Sequence, residues 1–325
     1  ALAACGEPQA WGEDNSLIIV APDSLWAQVE DTTRAVLEPT IFTTRDENQY
    51  NVTHIDPTAE AFADLRVFRN VIVSGTADDP LIREVAEEAG IDLSDAPLPF
   101  VFQGPDVWAR GQTVTGVVLR GASRVQSWMQ ALPAVLATVD ASYRARVRAR
   151  MFATPADTTL ARELAGRFGF SILVPEVYDR VFRGDASGDT VVILRNDNPD
   201  PSELIRSILI QRRPALDSLT VERALAWRAG IDSVHYNVPQ AIDTTRSAVT
   251  RFQIDGRPSL EVTGVWEDEG GAVPAAGPFF VWLVDCPSGA YHIDAWLYAP
   301  GESKYEYALQ LQEILGSFRC AGDGA

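Results

Sequence analysis

Lysine is almost missing from this chain. Lys304 is the only one, and with arginine included there are 27 basic residues against 45 acidic ones. The resulting formal charge of −18 repels phosphate-rich partners, which argues against a nucleic-acid ligand. Histidine and cysteine number three each, and no CxxC or Cys/His cluster has the spacing of a zinc site. No run reaches the ~18–20 consecutive apolar residues that a membrane span needs, so membrane attachment has to come from an anchor or a surface. HExxH, GxSxG, a GxxxxGK(S/T) phosphate loop and GxGxxG after a strand are all missing. Their absence argues against a zincin, an α/β-hydrolase, a P-loop enzyme and a Rossmann dehydrogenase. Neither a metal nor a cofactor is expected.

What is present is an ordinary globular composition, 46% hydrophobic and 22% charged over 325 residues, enough for two domain-sized units or one large domain. The chain opens Ala1-Leu2-Ala3-Ala4-Cys5-Gly6. Small residues before a cysteine resemble the bacterial lipobox, at which a signal peptidase cuts and the cysteine sulfur is acylated. Two or three acyl chains hold a protein on a membrane where one does so only marginally. Lipidation at Cys5 places the protein in the bacterial cell envelope, on the periplasmic face of the outer membrane or at the cell surface. Residues 7–15, with Pro8, Gly12 and three acids, read as a flexible tether. Setting Cys5 aside leaves Cys286 and Cys320, which suit a disulfide in an exported protein; two buried free thiols are the alternative.

Apolar spacing predicts a strand over 17–20, a helix from Asp23 or Ser24 to about Pro39, strands over 50–55, 70–73 and 112–119, and helices over 62–68 and 81–89. Ser123 and Gln126 form a capping-box pair at the head of a long helix that contains Pro133. The second half reads as a helix over 158–168, strands over 171–174 and 190–194, a helix over 221–228, and strands over 251–254, 260–266, 279–284 and 291–298. A second capping box, Ser303 and Glu306, precedes a closing helix. Residues 205–210 fit helix or strand equally well. The fold class is α+β, a mixture of two similar-sized α/β units with sheets flanked by amphipathic helices. The units are expected at 16–152 and 153–325, after the 1–15 tether, with packing as one domain the alternative; the C-terminal half is expected to be largely antiparallel. The two halves end alike, with a strand, a turn, a Ser-x-x-Gln/Glu cap and a helix, which hints at an internal duplication.

Tyr236-Asn237-Val238-Pro239, Gly264-Val265-Trp266-Glu267, Gly277-Pro278-Phe279 and Trp296-Leu297-Tyr298-Ala299-Pro300 are short motifs of the second half, with Arg69-Asn70 and the stretch from Asp106 through Trp108 to Gln112 as the N-terminal counterpart. Together they resemble a group of envelope lipoproteins best known from Bacteroidetes, domain-of-unknown-function family 4837. The loop 268–276 departs from the family in being rich in Ala and Pro. The resemblance implies an envelope location and lipidation; it implies no mechanism and no catalytic residue.

Candidate chemistry is thin. His54, His235 and His292 have no accompanying nucleophile pattern and read as structural or surface groups. The stretches 185–189 and 196–198 are oxygen-rich but lack a calcium-loop register. Arg144, Arg146, Arg148 and Arg150 recur every second residue and so form no single stripe on a helix. Glu267, in the triplet Glu267-Asp268-Glu269 after Trp266, is the carboxylate most suited to partial burial. A ligand cleft would draw on Arg69, Asp106, Trp108, Trp266, Glu267 and Phe279. The preferred function is a non-catalytic binding or assembly module with an envelope protein or glycan partner. An envelope hydrolase using Glu267 or Asp106, and a subunit of a surface polymer, are the alternatives.

Overall fold

The computed structural model describes residues 8–41, 44–184, 190–197, 203–236, 239–268 and 275–321. Cys5, residues 185–189, Asn198, Asn237, Val238 and Glu269 lie outside the described residues. The chain divides into two compact units, Ala1–Thr40 with Asn48–Arg146, and Ile41–Glu47 with Val147–Ala325.

In chain order the first unit's elements are β1 (Ser16–Val20), α1 (Asp23–Leu37), the short strands β2 (Thr40–Ile41) and β3 (Glu47–Asn48), each cut by the division, β4 (Asn51–Ile55), α2 (Phe62–Leu65), β5 (Asn70–Gly75), α3 (Pro80–Glu88), β6 (Phe100–Pro105), β7 (Thr113–Val118) and α4 (Arg124–Met151), within which the division falls again. The sheet order is β4-β1-β5-β7-β6. The first four of these are parallel and β6 pairs β7 antiparallel. Parallel strands are covered on both faces, which is why β1 and β5 read as continuous apolar runs. Ile18, Val20, Val71, Val73, Val114 and Val118 pack with Ile82, Val85 and Ala86 of α3. Their neighbours Leu17, Ile19, Ile72 and Val117 are equally buried and alternate to the other face. There the indole of Trp128 on α4 donates to Thr33 Oγ1 of α1 at 2.8 Å. Strand β6 escapes sequence reading because it is a short antiparallel edge strand ending in Pro105.

Residues 8–15 are not the free tether that their composition suggests. Ala10 is buried. Its amide donates to Arg110 O at 2.9 Å, the Arg110 amide donates to Pro8 O at 2.8 Å, and the Arg69 amide donates to Trp11 O at 2.8 Å. Backbone hydrogen bonds outweigh the polar composition here.

The second unit comprises α5 (Thr158–Phe168), β8 (Phe170–Ser171), β9 (Asp179–Gly184), β10 (Thr190–Asn196), β11 (Ile205–Arg213), α6 (Val221–His235), β12 (Ala241–Ile242), β13 (Ala248–Ile254), β14 (Arg257–Glu267), β15 (Ala276–Cys286), β16 (Gly289–Tyr298), α7 (Tyr305–Leu315) and β17 (Arg319–Cys320). Its main sheet runs β12-β14-β15-β16-β11-β10-β9, with β13 also on β14, and all of these pairings are antiparallel. One face packs on Ala308, Leu311, Ile314 and Leu315 of α7. The other face packs on Ala224, Trp227 and Ile231 of α6. The fold is α+β with an antiparallel C-terminal sheet.

The ambiguous stretch 205–210 is strand, paired with β16 from Ile205 to Arg213. Ser207 to Gln211 are all buried, so the strand loses the alternation that would have identified it. Of the expected strand over 171–174 only Ser171 is strand, as the end of β8, and Ser317 Oγ takes the Leu173 amide at 2.8 Å. A parallel first sheet and an antiparallel second one contradict the internal duplication. Neither capping box forms among the described residues. A 3₁₀ turn, Gly121–Ser123, precedes α4, and Ser127 Oγ accepts the Arg120 amide at 3.0 Å. At α7, Glu47 accepts the Lys304 amide at 2.8 Å while Glu306 pairs with Arg150 at 2.9 Å. Cys286 and Cys320 are joined as a disulfide, their Cα atoms 5.5 Å apart.

Candidate functional site

In the first unit the chain runs from β1 to β4 on one side and then returns to β5 on the other, so the strand order reverses at β1. Crevices outside the carboxyl ends of parallel strands at such a reversal are the usual ligand positions of open α/β sheets. An open cleft of roughly 570 Å³ lies here, lined by Ser24, Leu25 and Gln28 at the start of α1 and by residues 121–126 at the start of α4. The turn after β5 approaches it, since a Cβ on Gly121 would lie 3.8 Å from Thr76 Cγ2. Asp56 Oδ2 accepts the first amide of α1, that of Asp23, at 2.9 Å. Ser123 and Gln126, freed from capping, line the cleft with Ser24, Gln28 and Arg124. The polar groups are therefore hydroxyls, amides and one guanidinium, set beside Leu25 and Val125.

The second unit holds a different feature, an ion pair sealed under α6. The side chains of Arg228 and Asp294 are 1% and 0% exposed, and the Arg228 Nε lies 3.1 Å from the carboxylate. Arg228 also donates to Gln240 Oε1 at 2.5 Å, and its guanidinium stands 4.5 Å over the Phe279 ring. The Tyr236 hydroxyl donates to Asp294 Oδ2 at 2.7 Å. Burial, followed by the charge of Asp294, pushes this phenol well above its ordinary range. Next along β16, His292 is fully buried, with Nε2 3.2 Å from Ala224 O. The cluster ties α6 and the following segment to the sheet through Arg228, Tyr236, Gln240 and Asp294.

The sequence-selected residues divide between the two units. Asp106 is an exposed turn residue at φ 53°, and its carboxylate accepts the Gly111 amide at 2.5 Å. Trp108 is buried, its indole donating to Glu84 Oε1 at 2.9 Å. Arg69 pairs with Asp14 at 3.3 Å. In the second unit Trp266 and Phe279 are core residues. Glu267 is exposed at the end of β14, so the partial burial expected of it is not found: the strand's last side chain points to water while Trp266 takes the inward position. The four arginines near the end of α4 are each committed to a carboxylate: Arg144 to Asp140, Arg146 to Asp14, Arg148 to Glu313 and Arg150 to Glu306.

Gly277, part of a motif behind the family resemblance, has a packing role. A Cβ there would lie 1.7 Å from Leu297 O and 2.9 Å from Trp266 Nε1. The indole of Trp266 donates to that same carbonyl at 3.3 Å. Gly277→Ala is expected to destabilise the second unit by about 2 kcal/mol or more, since the obstacle is backbone that has to shift. Urea denaturation measures this, and a loss below about 0.5 kcal/mol, the scale of an indifferent surface change, would contradict the tight approach.

A search among curated proteins returns no match. Among solved structures, the solution structure of cyanobacterial PsbP (CyanoP) from Synechocystis sp. PCC 6803 is 13% identical, covering 47% of this chain and 86% of its own with a TM-score of 0.34. A crystal structure from Bacteroides thetaiotaomicron VPI-5482 is 14% identical, covering 48% of this chain and 47% of its own with a TM-score of 0.20. The family described as Domain of unknown function (DUF4837) matches residues 157–317. The motifs from Tyr236 to Pro300 lie inside that match, whereas Arg69 and the 106–112 stretch lie outside it. The second half of this chain, from 157 to 317, is thus a DUF4837 domain.

Proposed function

We propose that the protein is a lipid-anchored, non-catalytic binding module of the bacterial cell envelope, and that it takes its ligand in the cleft at the carboxyl ends of the first unit's strands. The observation that carries this reading is the lining of that cleft. Ser24, Gln28, Ser123, Gln126 and Arg124 both donate and accept hydrogen bonds, as recognition of a glycan requires, and Leu25 and Val125 offer apolar surface for a sugar face. The lining has no carboxylate, imidazole or thiol, so it holds a ligand without a general acid–base pair. The hydrolase alternative is not favoured, because Glu267 and Asp106 are both exposed and the Asp106 carboxylate is engaged in its own turn. The lipobox-like Leu2-Ala3-Ala4-Cys5 supports the anchor, and the Cys286–Cys320 bond suits an oxidising compartment.

Isothermal titration of the full chain with a soluble disaccharide–tetrapeptide fragment of cell-wall glycan tests the cleft. Saturable binding is expected, weakened about tenfold in a Gln28→Ala/Gln126→Ala variant that loses two hydrogen-bonding groups. No saturable heat, or equal affinity in the variant, would overturn the assignment. The polymer-subunit alternative has one observation in its favour: among the described residues β13 pairs only with β14, leaving its outer edge open to strand addition. Light scattering at high concentration separates the two, since a strict monomer removes the polymer reading.

A further inference from the structure

Of the eight tryptophans, seven are buried, at 9% exposure or less, and Trp11 is 52% exposed. Trp11 is nevertheless held in place. Its amide donates to Val67 O at 3.3 Å and its carbonyl accepts from the Arg69 amide at 2.8 Å. Its ring lies against Phe68 with centroids 4.0 Å apart. Gly12, at φ 95°, turns the chain directly after it, where any Cβ would sit 2.7 Å from the Phe68 ring. Arg66 and Arg110, both exposed, stand on the two segments that flank this run. Of the neighbouring acids, Asp14 is paired with Arg69 and Arg146, Asp106 accepts the Gly111 amide in its own turn, and Glu13 and Asp64 are exposed. In a chain of net charge −18, a fixed indole between two exposed arginines is an unusual local surface. It is the residue set that favours the membrane–water interface, where indole sits at headgroup level and arginine stems extend toward phosphate.

Its place in the fold gives the surface a direction. Arg69, bonded to Trp11, immediately precedes β5, and Arg110, bonded to Pro8 and Ala10, lies just before β7. The patch therefore sits at the amino ends of the parallel strands, whereas the cleft lies beyond their carboxyl ends. Strands of five and six residues separate the two by roughly 17–20 Å. Three peptide steps connect Cys5 to Pro8, and at about 3.3–3.6 Å per residue they reach ~10 Å.

We infer that Trp11, backed by Phe68 and flanked by Arg66 and Arg110, is a membrane-seating patch that lies in the headgroup region of the bilayer and turns the ligand cleft of the first unit away from it. The inference rests on the proposal that Cys5 is acylated, because the short link then holds the patch against the lipid.

Tryptophan fluorescence tests it directly, since Trp11 is the exposed indole. Protein isolated from bacterial membranes is reconstituted into phosphatidylethanolamine–phosphatidylglycerol vesicles whose acyl chains are brominated near the headgroup. Bromolipid is expected to quench part of the emission in the wild type and none in Trp11→Ser. That variant alters an exposed side chain, and its circular dichroism should match the wild type. Unchanged wild-type emission, with the Cys5 acyl mass confirmed by mass spectrometry, would overturn the seating patch and leave the anchor standing. If no acyl mass is found the anchor falls, and the unacylated chain added to the same vesicles decides the patch alone. Co-flotation that is lost in Trp11→Ser supports it, and no flotation overturns it.

Discussion

Replacing Asp294 with alanine is expected to cost about 3–5 kcal/mol of stability, the loss found when one partner of a buried ion pair is removed. The Arg228 guanidinium is 1% exposed and cannot recover water when its carboxylate goes. Gln240 Oε1 and the Phe279 face remain, but a neutral amide and a ring quadrupole do not balance a full charge. The Tyr236 hydroxyl loses its acceptor in the same step. Against the ~5–15 kcal/mol total of a typical domain, such a loss removes a large share of the stability. The double variant Arg228→Met/Asp294→Leu separates charge from packing, because apolar side chains of similar volume remove both charges together. It is expected to regain most of the lost stability. Urea denaturation of the three proteins decides the matter. A single-variant loss under 1 kcal/mol, or a double variant no more stable than the single, would show that the pair is not what seals α6 to the sheet.

Residues 228 and 294 show how far the sequence carries. Helix α6 and strand β16 are legible from spacing, and an aspartate in the stretch Ala290 to Leu297, where His292 is the other polar side chain besides the tyrosine hydroxyl, is a signal that something must compensate it. Its partner lies 66 residues away on another element, and no local pattern names it. The cleft has the same history. Ser123 and Gln126 stand out as a capping box, but a 3₁₀ turn takes over the helix start and leaves both side chains to line a cavity with α1. The proposed cleft residues Arg69, Asp106, Trp108, Trp266, Glu267 and Phe279 drew on motifs in both halves of the chain. The fold distributes them between two units and assigns most of them to turns, ion pairs or core. Parallel strands buried on both faces, such as β1 and β5, are read easily because length and β-branching identify them. Edge strands such as β6 and β9 carry charge and proline to keep their edges unpaired, and so resemble loops.

Acidification is expected to weaken the second unit through His292, before most carboxylates titrate. The ring is fully buried on β16. Ala224 O can only accept, so the Nε2 that faces it at 3.2 Å carries the proton. Nδ1 is then unprotonated, buried and without a hydrogen-bond partner among the described residues. A second proton would enter a space with no acceptor, near the guanidinium groups of Arg228 and Arg213. Burial first, and these two charges after it, bring the folded-state pKa from 6.5 down to about 3. Between those two values the unfolded chain binds the proton and the folded one does not, so the unfolded state gains as pH falls. The stability contributed by the neutral ring is complete above pH 6.5 and is lost progressively toward pH 3. The slope approaches about 1.4 kcal/mol per pH unit, giving roughly 2 kcal/mol by pH 5 and about 4 kcal/mol over the whole window. His292→Gln keeps a donor for Ala224 O and removes the titration at this position. Urea midpoints between pH 7.5 and 5 should fall more steeply in the wild type than in this variant. Superimposable pH profiles would mean that water or a moving side chain meets the second proton, and that the seal over β16 is looser than the packing of Trp227, 5.1 Å from the imidazole, implies.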